Sequence, residues 1–467
     1  MNTLRAIIVS AATCVHAAIA AAQCDIQHLA PPLDIGGRFG QVIDVNDRHL
    51  VIGDLSARTY CPGGDPFSCS AGAVFAYRQV EGQWTGHQII VPPDIEYSDR
   101  FGSLALDGDR LVVSSASREA PLGHGVAHVY EYNDDIGQWL ETERFEAPPS
   151  AATGGFAAMA LHGDSALFTQ EAVVYHYRLD AEGWQLVQSL EAPDGMSYAK
   201  GFGRKIKMDE DWAFIGAPRD DTLGDGEHGS VYVYRRDADG MLVFDTKMLS
   251  PDLPIDPDGR MYFGGHIGFD GTTLALANTY ANRAFESEGV VHIYELDGDR
   301  WTWRQEVRTS EPSRGLGLGF GVSVHGDTMV CGAWGIRWEH MLGYAFRRGA
   351  DGVWRELAIM DPAPAAPWLK EESFGRAAAT NGRQAIFGAP SDRQTPIDVT
   401  GGAYVFDLDC ERCSPDLDAD GRLTVFDFLT FLNLFDAGNS EADFDGDGEL
   451  TIFDFLAFQT AFDAGCD

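Results

Sequence analysis

The sequence predicts a mainly β protein: a seven-bladed β-propeller closed by its own N-terminal strand, with a small α-helical unit at the C-terminus. Three observations carry that reading. A segment opening on a phenylalanine recurs seven times between residues 36 and 407. A Val-Tyr-Val-Tyr-like strand recurs in phase with it. Beyond residue 410 both signals stop, and an Asp-rich loop followed by an apolar helix occurs twice, offset by 27 residues.

The first element is an export leader. Arg5 precedes an apolar run from Ala6 to Ala22 that ends in Ala20-Ala21-Ala22, so residues 1–22 read as a signal peptide. Bulky Gln23 argues against a lipid anchor on Cys24. The run is too short and too Ala-rich for a good membrane span, and no second candidate follows. The mature chain is therefore expected to be secreted, extracellular or cell-surface associated, where disulfides are permitted. Besides Cys14, the cysteines are Cys24, Cys61, Cys69, Cys331, Cys410, Cys413 and Cys466, an odd number that leaves at least one thiol unpaired. Of 467 residues 71 are acidic and 34 are Lys or Arg, a net charge of −37. Such a surface repels nucleic acid and anionic lipid, and it attracts divalent cations or basic partners. With 45% hydrophobic and 11% aromatic residues the chain can build a core, which excludes intrinsic disorder.

Residues 23–409 form the repeat domain. The opening aromatics are Phe39, Phe101, Phe156, Phe202, Phe263, Phe320 and Phe374, spaced 62, 55, 46, 61, 57 and 54 residues apart. A second signal follows in phase, as in Gly53-Asp54, Gly216-Ala217-Pro218 and Gly388-Ala389-Pro390. The third includes Val74-Phe75-Ala76-Tyr77, Val129-Tyr130-Glu131-Tyr132 and Val231-Tyr232-Val233-Tyr234. Its period of two marks strands. In the second copy four strands are expected at about 101–106, 110–115, 127–132 and 139–145, with Asp107-Gly108-Asp109 as a tight turn. Four antiparallel strands repeated seven times describe a propeller, whereas a pair of β-sandwiches would leave the repeat unexplained. Trp84, Trp139, Trp184, Trp301 and Trp354 recur at the start of fourth strands, which favours packing between blades over sugar stacking. The seventh copy lacks a fourth strand, and His28–Pro32 is expected to supply it.

These residues resemble the FG-GAP repeats of integrin α-chain propellers and many bacterial secreted proteins, over about residues 26–407. The resemblance implies a binding or adhesion scaffold. Integrin-type repeats often carry an Asp-rich calcium loop between the first two strands; here only short turns such as Asn46-Asp47 and Asp270-Gly271 stand there, so no propeller calcium is expected. The links between second and third strands, and those between blades, are long and share one face, where a propeller usually binds. Asp220, Asp221, Asp225, Asp256 and Asp258 make those loops acidic, marking them as ligand contacts.

Residues 410–467 form the second unit. Asp416, Asp418, Asp420, Gly421, Thr424 and Asp427 are matched by Asp443, Asp445, Asp447, Gly448, Thr451 and Asp454. Carboxylates at loop positions 1, 3, 5 and 12, with glycine at 6, wrap a calcium ion in the EF-hand manner; position 7 adds a backbone carbonyl (Arg422, Glu449) and position 9 a threonine. Two Ca²⁺ are expected. From Glu411 onward 14 acidic residues face only Arg412 and Arg422, so metal would relieve the repulsion. The duplicate resembles the dockerin family, in particular members ending in Gly-Cys, here Gly465-Cys466. That resemblance implies docking to a cohesin-like or other surface protein, through Val425-Phe426 and Ile452-Phe453. The expected helices, Val425–Phe435 and Ile452–Phe462, are apolar nearly all round, more than one small core can bury.

No nucleophile elbow, zinc-protease helix, phosphate loop or paired-Cys zinc spacing occurs. Two functional classes stay open: a non-catalytic binding or adhesion propeller displayed through its docking unit, and a polysaccharide-active hydrolase or lyase displayed in the same way. Ring closure would bring Cys24 to Cys410, while Cys61 with Cys69 would close one long loop and Cys413 with Cys466 the docking unit. Cys331 is then expected to stay buried and reduced.

Overall fold

The computed structural model describes residues 26–32, 35, 37–59, 70–80, 82–97, 99–116, 125–148, 158–195, 200–221, 227–252, 261–333, 335, 341–362, 373–391, 401–408, 415, 417, 424–439, 442, 444 and 450–464. The strand-period segments pair into seven four-stranded antiparallel sheets, each built from consecutive strands apart from the last. Blade 1 comprises Val42–Val45, His49–Asp54, Ala73–Val80 and Gln83–Ile90. In blade 2 the strands are Ser103–Asp107, Arg110–Ala116, Gly125–Asn133 and Gln138–Glu146, each within a few residues of expectation. The seventh sheet takes its outer strand from the N-terminus: Gln27, His28 and Leu29 pair with Val405, Tyr404 and Ala403. Closure follows the expected scheme, with the strand ending at Leu29 and not reaching Pro32. Locking the last blade with the first strand leaves no long sheet edge open.

In six blades the third strand carries a bulge just before an aromatic: Tyr77, Tyr130, Tyr177, Tyr234, Tyr294 and Phe346. A bulge adds local twist, which the outer half of a blade needs. The fourth-strand tryptophans pack backwards onto the preceding blade, as expected. Trp84 donates its indole N–H to Gln384 of blade 7 at 2.8 Å. Trp139 meets His49 of blade 1 edge-on, and Trp301 meets Phe214 of blade 4.

The opening Phe-Gly also works between blades. Phe39, Phe101 and Phe263 form backbone bridges to Gly401, Gly72 and Gly229, each just before a third strand of the preceding blade. A Cβ on any of these glycines would lie within 2.2 Å of the partner phenylalanine's carbonyl oxygen, so no other residue fits. Blade 6 departs from the sequence pattern. There Leu318 holds the place of the phenylalanine, with its N–H donating to Glu288 at 3.0 Å beside Gly289. Phe320 lies two residues further on, half-buried against His266 near the ring axis. The run Leu316-Gly317-Leu318-Gly319-Phe320-Gly321 offers more than one aromatic- or leucine-glycine frame, and the larger side chain is the wrong choice. Phe156 lies outside the described residues.

The C-terminal unit has two helices, α1 (Val425–Asp436) and α2 (Ile452–Ala464). Their core holds Phe431, Ala442 and Phe458, the two rings stacked with centroids 4.4 Å apart.

Candidate functional site

Successive strands run antiparallel, so the turns joining strands one to two and three to four share one face. The second-to-third loops and the blade crossings share the other. Three polar clusters stand on that long-loop face at one repeated ladder position, where a third-strand residue faces a fourth-strand residue: His128–Arg144, Tyr232–Lys247 and His292–Glu306. Each meets an acid from the crossing before it.

In blade 4, Lys247 lies 2.6 Å from both Asp194 and Asp220. Ser230 donates to Asp220 at 2.5 Å, and the Tyr232 hydroxyl donates to Asp194 at 2.8 Å. Burial would lower the Lys247 ammonium, but its bonds to Asp194, Asp220 and Tyr232 outweigh that and hold it above its ordinary range. Asp220 is 2% exposed. Asp220, expected to contact a ligand, is instead a buried counter-ion of Lys247. Asp221 pairs with Lys200 and stays on the surface. Asp225, Asp256 and Asp258 lie outside the described residues.

In blade 5, Asp252, His292 and Glu306 bring their ligand atoms within 4.8 Å of one another. The Arg283 guanidinium reaches both carboxylates, with Nε 3.0 Å from Glu306 and a terminal nitrogen on Asp252. Burial alone would raise the Asp252 carboxyl, but His292 and Arg283 outweigh it and hold it at about 2. A built-in cation thus already offsets part of the charge of the pair. In blade 2, Arg144 lies 2.6 Å from Asp94 and also pairs with Glu141, which His128 contacts at 2.9 Å.

A second repeated device was missed in the sequence. A glutamine on an outer strand clasps the backbone of the next blade's outer strand through both amide atoms. Gln27 holds Trp84 at 2.6 and 2.9 Å, and Gln88 holds Trp139 at 3.0 and 2.8 Å. Gln188 holds Leu242 at 2.8 and 3.0 Å, and Gln305 holds Trp354 at 2.8 and 2.9 Å. Glu143, which can only accept, takes the Trp184 N–H at 2.8 Å. The available signal was Trp-x-x-x-Gln/Glu, present at Trp84, Trp139, Trp184 and Trp301.

In the C-terminal unit the two position-12 carboxylates, Asp427 and Asp454, are fully buried. Asp427 accepts the N–H groups of Leu417 at 2.9 Å and Thr424 at 2.7 Å, tying both ends of its loop to the first turn of α1. Asp454 does the same with Phe444 at 2.8 Å and Thr451 at 2.7 Å. Thr424 and Thr451 cap the helices through the N–H groups of Phe426 and Phe453, both at 3.1 Å. Asp416, Asp418, Asp420, Arg422, Asp443, Asp445, Asp447 and Glu449 lie outside the described residues, as do the six cysteines assigned to disulfides. Cys331 is a free, buried thiol, and burial pushes its ionisation well above the ordinary range. Val425 and Phe426 are 64% and 63% exposed, and Ile452 and Phe453 are both 63% exposed.

Residues 184–234 match the FG-GAP repeat family. The match runs from the outer strand of blade 3 through the first three strands of blade 4, so the sequence repeat straddles two blades. No curated protein matches the chain. Several solved structures are similar to the chain over part of its length. A protein of unknown function from Desulfotomaculum acetoxidans is 14% identical with a TM-score of 0.43, covering 69% of this chain and 86% of that one. The periplasmic gluconolactonase of Pseudomonas aeruginosa is 13% identical with a TM-score of 0.45, covering 69% and 85%. The β-propeller domain of the Trilobed protease from Pyrococcus furiosus is 10% identical with a TM-score of 0.42, covering 76% and 91%. Among the described residues no helix is long and apolar enough to cross a membrane.

Proposed function

We propose that the chain is an exported, non-catalytic binding protein. Its propeller presents a ligand platform on the long-loop face, and its C-terminal unit, ordered by two calcium ions, attaches it to a cohesin-like or other surface receptor. The observation that supports this most is the matched exposure of Val425, Phe426, Ile452 and Phe453 at the start of two duplicated helices. Leu429 and Leu456, one turn further on, are both 48% exposed and extend the same stripes. Large apolar side chains left in water at equivalent positions of a small unit call for a covering partner.

The residues fit calcium in kind. Thr424, Asp427, Thr451 and Asp454 are hard oxygen donors. Asp427 accepts the Leu417 and Thr424 N–H groups on different carboxylate oxygens, and Asp454 accepts those of Phe444 and Thr451 in the same way. Asp416, Asp418, Asp420, the Arg422 carbonyl, Thr424 and Asp427 would hold one ion. The second would take Asp443, Asp445, Asp447, the Glu449 carbonyl, Thr451 and Asp454. Each ion would offset the repulsion among its own carboxylates, so binding stabilises the folded unit.

Calcium titration of the full chain by calorimetry is expected to give two sites, with Asp416→Ala and Asp443→Ala each removing one. Phe426→Ser with Phe453→Ser should keep both sites yet abolish binding to purified cohesin-type receptors. Absence of calcium binding would sink the metal half of the proposal, and undiminished receptor binding by the double variant would sink the docking half.

A further inference from the structure

The ring axis carries a charge that the rest of the molecule does not. The first strand of blade 4, Lys205–Met208, turns Ile206 and Met208 into the core and leaves Lys205 and Lys207 on its other side. His266 stands at the ladder position of Lys205 one blade on, because Lys205 faces Gly216 and His266 receives the N–H of the equivalent Ala277. Arg204 and Arg376 occupy matching positions, each directly after the Gly that follows the opening phenylalanine of its blade. Arg204, Lys205 and Arg376 stand at or just before the start of first strands, the long-loop end of the axis, and Lys207 lies two residues further along the same strand as Lys205. They meet across the ring: His266 of blade 5 feels Lys205, Arg204 and Arg376, and Asp44 of blade 1 feels Lys207.

Among the described residues Arg204, Lys205, Lys207 and Arg376 form no ion pair, in a chain with 71 acidic side chains to 34 basic ones. Elsewhere arginines are paired to the point of sharing, as Arg48, Arg144 and Arg283 each meet two carboxylates. Asp44, the acid on which Lys207 acts, accepts the N–H groups of Val45 and Leu106, both at 3.0 Å. Lys205 keeps an exposed surface, yet the protein around it and its basic neighbours push its ammonium down to about 8. The first strands of neighbouring blades touch one another all round the ring, so the exposed side of Lys205 faces the recess at the axis.

We propose that this axial recess binds a compact, multiply charged oxyanion, a phosphate or sulfate group, held by Arg204, Lys205, Lys207 and Arg376. Two guanidinium forks and two ammonium groups suit tetrahedral oxyanions. A long polyanion is repelled by the acidic exterior, so the ligand must be small enough to enter the recess alone. The inference deepens the reading that the long-loop face is the binding face, by naming a chemistry for its centre.

The test is calorimetry of the full calcium-loaded chain at low salt with sodium sulfate, with acetate as the monovalent control, and phosphate in a parallel calcium-free arm. Melting is followed by tryptophan fluorescence. Wild type should bind sulfate or phosphate in preference to acetate, weaken as salt rises, and melt higher with the anion. Lys205→Met with Lys207→Met, and separately Arg376→Gln, should fold, because each removes an unpaired charge, and should bind at least about tenfold more weakly. Binding of either dianion supports the proposal and tells which one the recess takes. No saturable binding by wild type, or undiminished affinity in both folded variants, overturns it. A chain that binds dianions but no glycan or protein keeps this inference while sinking the platform reading, and the reverse result does the opposite.

Discussion

Replacing Gly229 by alanine isolates the contact that locks one blade onto the next. Gly229 has φ +80°, and an added Cβ would sit 2.2 Å from the Phe263 carbonyl oxygen and 2.6 Å from its nitrogen. Gly82 has the same φ of +80° with nothing within 4 Å of the added Cβ. Both alanines therefore meet the left-handed backbone cost of about 1–2 kcal/mol. Only Gly229→Ala adds overlap, against backbone that cannot rotate away, for about 1–3 kcal/mol more. Moving Phe263 aside would also break its N–H bond to His228, now 3.2 Å. The expectation is about 1–2 kcal/mol lost in Gly82→Ala and about 2–5 kcal/mol in Gly229→Ala. All ten tryptophans precede residue 409, so urea unfolding followed by fluorescence reports the propeller alone. Midpoints are compared at equal slope and constant calcium. If Gly229→Ala lost no more than Gly82→Ala, the Phe-Gly bridge would not be a tight inter-blade contact, and the reason given for the repeat would fall.

Gln305→Leu should cost about 1–2 kcal/mol by freeing the Trp354 N–H and carbonyl, while Gln185→Leu on an exposed outer-strand position should be near neutral in the same urea assay. His176, fully buried beside Ser165 at 2.7 Å, has its pKa lowered to about 4 by burial and by Arg236. Because the unfolded imidazole takes a proton near pH 6.5 and the folded one only near 4, its contribution of about 3 kcal/mol is present above pH 6.5 and is lost as pH falls towards 4. Stability measured at pH 7 and pH 4.5 should therefore differ less in His176→Gln than in wild type, and an equal difference would refute the assignment. Cys331 should resist alkylation in the native chain and react on unfolding, read by mass spectrometry of its peptide; rapid native labelling would contradict its burial.

What was legible in the sequence is what each blade repeats within itself. Strand period, hairpin turns and blade number need only local pattern, and the N-terminal closing strand followed from a seventh copy that lacked an outer strand. The phase of blade 6 was not legible. Leu318-Gly319 and Phe320-Gly321 are equally good local frames, and only the approach of Gly289 to Leu318 decides between them. Asp220 misled for a related reason. Beside Asp221 in an acidic loop it reads as a ligand contact, but Lys247 arrives from an outer strand to pair with it. In the C-terminal unit the helix starts and their exposed pairs were readable, because capping threonines and apolar runs are local signals.

The features that bear on function all join elements far apart in the chain. Gln27 clasps Trp84, Asp252 meets Glu306 through Arg283, and Lys205 shares the axis with Arg376. A propeller places equivalent ladder positions of successive blades at equal radius, so a residue's blade position sets its neighbours more than its chain neighbours do. Outer positions became clasps, crossing positions became ion networks of one cation with two carboxylates, and axial positions in blades 4 and 7 gathered positive charge. The first two sets already engage their polar groups within the protein. Among the described residues the axial cations have no ion-pair partner, and positive charge gathered at the centre costs stability unless something answers it. That imbalance is why the axis, and not the acidic loop rim, is the place to look for what the propeller holds.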